Sequence, residues 1–158
     1  MQLSPSWNTA SLPHIITAVK SRMRQVAWRR LAPLGLSPQQ YQLIMAMAEK
    51  DQRCHGDLAK CTWMDKPTAS RTLRTLQDRG LVRAEADPTH RRRVLFSLEP
   101  EGVALAQTLL GFRQFMREGM EQGLAGQERS QLRALLGSVM DNLDRMEAEL
   151  SGPAPEKQ

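Results

Sequence analysis

The sequence predicts a mainly α-helical protein with a small β-hairpin near its middle. Leu, Ala and Met dominate its apolar residues, and aromatic residues make up only 4%, a composition that favours helices. Apolar residues recur at three- and four-residue steps in long segments at both ends of the chain. Between these segments, two short stretches of alternating apolar and polar residues flank a polar turn, which is the pattern of a hairpin.

The first two helices are marked by an apolar stripe and by capping residues. Leu12–Leu31 carries a single stripe, and the pattern is interrupted by Gly35. Ser37 then starts a second helix, since Pro38 suits its first turn and Gln40 completes a capping box.

The centre of the chain carries a short helix near His55–Cys61, a tight turn and a further helix, Lys66–Arg79. Asp65 is placed to cap this further helix, and Gly80 ends it. Strands are expected at Leu81–Glu85 and Arg93–Leu98, which form the hairpin.

Two long helices close the chain, with apolar stripes at Leu105–Met120 and Leu132–Leu150. The order helix, short helix, turn, helix and hairpin predicts a winged helix-turn-helix with N- and C-terminal dimerisation helices. We expect four parts: an N-terminal dimerisation helix (1–32), a winged DNA-binding lobe (33–99), C-terminal dimerisation helices (100–150) and a flexible tail (151–158). The stripes exceed what one small winged domain can cover, which favours a homodimer over an intramolecular three-helix bundle.

The charge of the chain is unevenly distributed. Residues 53–98 carry ten Lys and Arg against five Asp and Glu, whereas residues 99–158 carry six against ten. A basic centre and an acidic end indicate a surface that faces a polyanion. Two cysteines are too few for a disulfide framework, and neither a leader nor a membrane span is evident, so we expect a cytoplasmic protein.

One face of the helix Lys66–Arg79 is suited to the major groove, where each base pair presents a distinct pattern of donors and acceptors. Arginine bridges guanine, and small polar side chains reach bases or phosphates. The alternative is a solvated face without a partner. The residues predicted to contact DNA from this helix are Lys66, Pro67, Thr68, Ser70, Arg71 and Arg74.

The hairpin tip holds His90, Arg91 and Arg92. Positive side chains on a slim loop fit the narrow minor groove, whose negative potential attracts arginine. The alternative is a solvated turn whose arginines pair with Asp87 or Glu85. Because the basic tip follows the basic helix directly, the combination predicts binding of double-stranded DNA.

These segments resemble the MarR family of bacterial transcription regulators. The resemblance implies a homodimer of winged subunits that binds a pseudo-palindromic operator, as a repressor, and is released by a small phenolic or anionic effector. His90 stands where the family usually has an acidic residue, and Glu99 where it commonly has a threonine cap. The residues that carry the resemblance are Leu31–Tyr41, Leu58-Ala59, Met64–Arg71, Leu76, Asp78–Arg83, Asp87–Arg92, Leu98 and Pro100–Gly102.

An effector pocket is predicted between the dimerisation helices and the DNA-binding lobe, lined by His14, Met23, Trp28 and Tyr41. The hypothesis is that this pocket binds an aromatic anion. The alternative is that the methionine belongs to the core, since methionine at helical spacing is more often part of a core.

No catalytic motif is present in the sequence, and we expect neither enzyme activity nor a cofactor. Cys54, His55 and Cys61 lack the paired spacing of a zinc motif, so no metal is expected. Two alternatives stay open: a redox-sensing regulator of the same fold that uses Cys54 or Cys61, and a winged-helix protein-interaction module that does not bind DNA.

Overall fold

A computed structural model describes residues 9–50, 53–90 and 92–151. It confirms the predicted mainly helical architecture with a small sheet. The predicted bounds of the first, third and fourth helices and of the hairpin strands agree to within one or two residues, whereas the last two helices begin five and six residues before their predicted stripes. The helices are α1 Leu12–Leu31, α2 Pro38–Glu49, α3 His55–Thr62, α4 Lys66–Asp78, α5 Pro100–Glu121 and α6 Gly126–Leu150, and the strands are β1 Arg53–Cys54, β2 Val82–Ala86 and β3 Val94–Leu98.

The predicted capping box at the start of α2 is present. The Gln40 backbone N–H donates to the Ser37 hydroxyl at 3.1 Å, and the Ser37 backbone N–H donates to the Gln40 side-chain oxygen at 2.8 Å. Two of the otherwise unpaired N–H groups of this helix start are thereby satisfied. A 3₁₀ turn, Ala32–Leu34, connects α1 to this point and ends at Gly35, whose φ is +64°.

The sheet has three strands in the order β1-β3-β2, with both pairings antiparallel. The hairpin β2–β3 runs in register from Val82 opposite Leu98 to Ala86 opposite Val94. The third strand, β1, pairs Arg53 with Phe96 on the other edge of β3, and the sequence pattern does not predict it. A strand of two residues is too short to show an alternating pattern, so only the pairing with β3 reveals it.

A hydrophobic core lies beneath the helix-turn-helix. It brings together the inner faces of α2, α3 and α4 with the hairpin and the first half of α5. Ala69 is buried beside it, as the stripe of α4 predicts. The largest fully buried side chains are Leu31, Leu36, Leu43, Ile44, Leu58, Leu73, Leu76 and Leu109.

The chain divides into two compact units, residues 1–116 and 117–158, with the boundary inside α5. In the second unit, Glu121 at the end of α5 accepts hydrogen bonds from Arg129 at 3.1 Å and from Arg133 at 2.8 Å. These bonds hold the first turns of α6 to the end of α5. The predicted division at residues 32 and 99 into dimerisation and DNA-binding parts stays a prediction.

Several apolar stripes remain exposed in the single chain. No residue of α6 is buried, and α1 buries only Leu31, at its end. The exposed side chains of these two helices include Leu12, Ile16, Val19, Met23, Val26, Leu132, Leu135, Leu136, Leu143 and Met146. Within the described ranges, no helix combines the length and the apolar character needed to cross a bilayer.

Candidate nucleic-acid interface

The helix α4 separates an apolar face from a polar one, as its sequence predicts. Ala69, Leu73 and Leu76 are buried, because they recur at three- and four-residue steps on the side that meets α2 and α3. The opposite face is open to solvent over three turns. Its exposed members are Lys66, Pro67, Ser70, Arg71 and Arg74.

The start of α4 is built by Asp65. One carboxylate oxygen accepts the Thr68 backbone N–H, and the other accepts the Thr68 hydroxyl, each at 2.8 Å. These hydrogen bonds hold the pKa of the Asp65 carboxyl below its usual range, since they stabilise the ionised form. The Thr68 hydroxyl also accepts from Arg71 at 3.4 Å. Thr68 therefore orients the helix start and Arg71, and its predicted contact with DNA stays a prediction.

Because the Asp65 cap stabilises α4 in its ionised form, we expect the thermal stability of the chain to decrease at acid pH. Because the folded-state pKa of Asp65 is lowered, its stabilisation is complete above the unfolded pKa of about 3.8. It is lost as the pH falls through the lower folded-state value. We expect Asp65→Ala to lower Tm at pH 7, and Asp65→Asn to keep most of the cap. Thermal unfolding followed by circular dichroism at pH 7 and below pH 3 tests this.

In that experiment, the Tm difference between the native chain and Asp65→Ala should shrink at the acid end. A difference of equal size at both pH values would show that the ionised carboxylate is not the source of the stabilisation.

The far end of α4 is held by Arg79. Its guanidinium donates to the Gly35 carbonyl at 2.8 Å, across 44 positions in the sequence. Gly80, with a φ of +68°, then turns the chain, and the Leu81 N–H donates to the Leu76 carbonyl at 3.0 Å. The hairpin therefore starts directly where α4 ends. The sequence does not indicate this role of Arg79, because its partner lies far away in the chain.

The turn of the hairpin is stabilised by Asp87. Its Oδ1 accepts from the Thr89 hydroxyl at 2.6 Å, the Thr89 N–H at 2.8 Å and the His90 N–H at 3.2 Å. The hydrogen bonds from Thr89 keep the pKa of this carboxyl low. Glu85 pairs instead with Arg83 at 3.0 Å. Both carboxylates that were candidates to neutralise the tip arginines are thus engaged by other groups.

The tip itself is basic and open. His90 and Arg92 are exposed, and Arg92 forms no ion pair with any residue that the structure describes. Arg91 lies outside the described residues. The exposed face of α4 and the described part of the tip are therefore two basic surfaces of the helix-turn-helix and its hairpin, and both are open to solvent among the residues that the structure describes.

A cleft of about 430 Å³ lies between the C-terminal half of α1 and the start of α2. Trp28 lines it together with two arginines outside the predicted effector site, Arg24 and Arg29. The four-residue step from Arg24 to Trp28 places both on one side of α1, a signal that was available in the sequence. Ser37 and Gln39 contribute the wall from α2.

The other three residues of the predicted effector site do not line this cleft. His14 lies 14 residues before Trp28 on α1, which is about 21 Å along the helix axis, and Met23 is part of the exposed stripe. Tyr41 is half-buried, with its ring edge-on to Phe112 at 4.9 Å. Burial raises the pKa of its phenol. One chain does not bring these four side chains together.

Neither cysteine is in a disulfide, and Cys61 is exposed. The Cys54 thiol donates to the Asp57 carboxylate at 3.1 Å at the start of α3, and this bond lowers the pKa of Asp57. Among the residues described by the structure, no three His, Cys, Asp or Glu side chains form a group that could hold a metal. A redox role of Cys54 or Cys61 stays a prediction.

A short helix, a tight turn, a second helix with an exposed basic face and a β-hairpin wing define the class: this is a winged helix-turn-helix protein. Residues 34–93 match the model of the MarR family. This match confirms the resemblance to the MarR family that the motifs around α4 and the wing carry.

Known relatives agree with this assignment. The HTH-type transcriptional repressor NicR of Pseudomonas putida is 23% identical over 134 residues, which cover 85% of each chain. A MarR-family transcriptional regulator from Silicibacter pomeroyi has 27% identity and a TM-score of 0.73, covering 90% of this chain and 96% of its own. These proteins are transcriptional regulators and not enzymes.

A further solved structure, of BpsR from Bordetella bronchiseptica, has a TM-score of 0.73 and 24% identity, and covers 82% of this chain and 98% of its own. That structure concerns the regulation of BpsR DNA binding by 6-hydroxynicotinic acid. At this level of identity, the similarity to BpsR concerns the fold.

Proposed function

We propose that the protein is a transcriptional repressor that binds a pseudo-palindromic operator as a homodimer. The observation that carries the proposal is the exposed face of α4, where Ser70 and Arg71 lie on one turn and Arg74 lies on the next. In a helix-turn-helix, this helix enters the major groove and its N-terminal residues meet the base edges. The basic wing follows α4 directly and is suited to the adjacent minor groove.

Two half-sites are needed because one such helix reads only a few base pairs. The exposed apolar stripes of α1 and α6 support a dimer, since a stable monomer rarely leaves so many large apolar side chains in water. Light scattering at micromolar concentration should give twice the mass of the 17.8 kDa chain. A stable monomer at that concentration would remove the basis for two-fold recognition.

Salt dependence of DNA affinity tests the proposal. The test uses a duplex from the region upstream of its own gene. The logarithm of the association constant should fall linearly with the logarithm of salt concentration, with a slope of about −0.9 for each neutralised phosphate. Fluorescence anisotropy over a range of salt concentrations gives this slope. If no binding occurs at low salt, the protein is a winged-helix interaction module and not a repressor.

Arg92→Ala should weaken binding to all duplexes and reduce the salt slope by about one for each phosphate that the variant no longer neutralises. The reason is that an arginine on a phosphate carries no sequence information, whereas it does release counterions. Lys20→Ala on α1 removes the same charge away from the wing and should leave the slope unchanged. An unchanged slope in Arg92→Ala would remove Arg92 from the interface.

We also propose an effector of one chemical class, an aromatic carboxylate, in the cleft beside Trp28. Guanidinium groups of Arg24 and Arg29 bind a carboxylate through charge-assisted hydrogen bonds, and the indole offers a flat surface to the ring. The regulation of BpsR by 6-hydroxynicotinic acid makes this compound the first probe.

Titration calorimetry with 6-hydroxynicotinic acid and with salicylate tests the cleft. We expect Arg29→Ala to weaken binding about tenfold or more, because this variant cannot donate a hydrogen bond to the charged carboxylate. Lys20 lies on the same helix outside the cleft, so Lys20→Ala is the control that removes the same charge. If Arg29→Ala and Trp28→Ala both bind these compounds as strongly as the native chain does, the cleft is excluded as the effector site.

A further inference from the structure

Trp63 occupies the turn between α3 and α4 in an unusual backbone conformation. Its φ of 55° and ψ of 36° are left-handed, and it is the one non-glycine residue with a positive φ in the described part of the chain. Its N–H donates to the Lys60 carbonyl at 3.2 Å, and the Met64 N–H donates to the Ala59 carbonyl at 3.0 Å. These bonds close the end of α3, at a position where glycine is the usual residue.

A tryptophan at this position is unfavourable for folding in two ways. Its Cβ disfavours the left-handed conformation that glycine adopts freely. Its side chain is 77% exposed, which makes it the most exposed aromatic side chain among those the structure describes. Burial of the indole therefore does not compensate for the strained backbone, and the stability of the single chain does not explain why an indole stands here.

The position of the turn indicates which partner surface the indole can contact. Trp63 lies two residues before Asp65, the cap of α4, and therefore at the end of α4 that enters the groove. Its Cα lies within about 11 Å of that of Lys66, the greatest span of three residues. Lys60, one turn earlier on α3, and Lys66 are both exposed. In the sequence, a strongly exposed indole thus lies between two exposed lysines, each three positions away.

This combination suits the sugar–phosphate backbone that borders a major groove. The flat apolar face of an indole packs against deoxyribose, its ring N–H donates to a phosphate oxygen, and a lysine on each side supplies positive charge. A base-reading role does not suit Trp63, since the indole has no acceptor and precedes the helix that lies in the groove.

We propose that Trp63, with Lys60 and Lys66 beside it, contacts the sugar–phosphate backbone of DNA, so that the turn of the helix-turn-helix forms a third part of the interface besides α4 and the wing. This inference rests on the proposed function. It assigns Trp63 a role in affinity and positioning, and not in the reading of sequence.

The test compares Trp63→Gly, Trp63→Asn and Trp63→Phe in the full chain. Glycine and asparagine both tolerate the left-handed backbone, so Tm should be unchanged or higher in these two variants. Their affinity for DNA should nevertheless fall about tenfold, because each subunit then lacks an interaction of the size of one hydrogen bond. The decrease should be equal for the upstream duplex and for a scrambled duplex, and smaller for Trp63→Phe, which keeps an aromatic ring.

A direct measurement accompanies these affinities. Subtracting the fluorescence of Trp63→Phe from that of the native chain gives the signal of the indole at position 63. The quenching of this signal by acrylamide should decrease when the duplex is added. Equal quenching in the free and bound protein, or a Trp63→Gly affinity within twofold of native, overturns the inference. If the native chain binds no DNA, the proposed function fails instead. If Arg74→Ala weakens binding and Trp63→Gly does not, only the role of Trp63 is wrong.

Discussion

Replacing Gly102 with alanine is expected to lower the free energy of unfolding by roughly 3 kcal/mol. A Cβ at this position in the first turn of α5 would lie 2.1 Å from the Leu81 carbonyl oxygen and 3.3 Å from a Leu98 methyl group. That carbonyl is held in place, because it accepts the Glu99 N–H at 3.0 Å. The backbone of either α5 or the hairpin must therefore move.

Thermal and urea unfolding at a fixed protein concentration measure this effect. For a chain of this length, the destabilisation corresponds to a decrease in Tm of roughly 10 °C. Gly111→Ala is the matched control, since it lies in the same helix with no atom within 4 Å of the added Cβ. It should be stabilising by about 0.5–1 kcal/mol through helix propensity. Equal destabilisation by both substitutions would mean that the close approach of Gly102 to Leu81 is absent.

Arg74→Ala is expected to produce the largest loss of sequence discrimination. If Arg74 bridges a guanine, its removal costs about 1–3 kcal/mol at one base pair of each half-site. The guanidinium is exposed, and the structure describes no ion pair for it, so it can reach a base without breaking another interaction. Arg71 is the second candidate, although its bond to Thr68 already orients it.

Competition among duplexes that differ at single positions measures this discrimination. For Arg74→Ala, the preference for one base pair should disappear, while the affinity for a scrambled duplex should change little. Arg145→Ala, on α6, removes the same charge and should leave both quantities unchanged. An equal decrease in affinity for all duplexes would make Arg74 a phosphate contact.

The sequence predicts those parts of the fold that depend on neighbouring residues. The capping box at Ser37, the Asp65 cap and the turn at Gly80 are each encoded within four residues, and the structure has them where the sequence predicts. The stripe of α4 likewise separates its buried and exposed faces correctly. Such features depend on local hydrogen bonds and on helical periodicity, which a single sequence displays directly.

Features that join distant parts of the chain were not predicted. The strand β1 exists only through its pairing with β3, and the bond from Arg79 to Gly35 spans 44 positions. The strained conformation of Trp63 follows from the closure of α3 and not from any residue preference. For the effector site, the sequence predicts a pocket between the dimerisation helices and the DNA-binding lobe, and this stays a prediction. The cleft beside Trp28 depends on which side of α1 faces α2, which a single sequence does not display.

The central claim is that the exposed face of α4 and the wing bind adjacent grooves of one duplex. Methylation interference at guanine N7, combined with hydroxyl-radical footprinting, tests it most directly. We predict two sets of major-groove interference, one helical turn of about 10 base pairs or a multiple of it apart, each flanked by protection of the minor groove. A bound duplex without major-groove interference, or with a single unpaired set, would contradict the account.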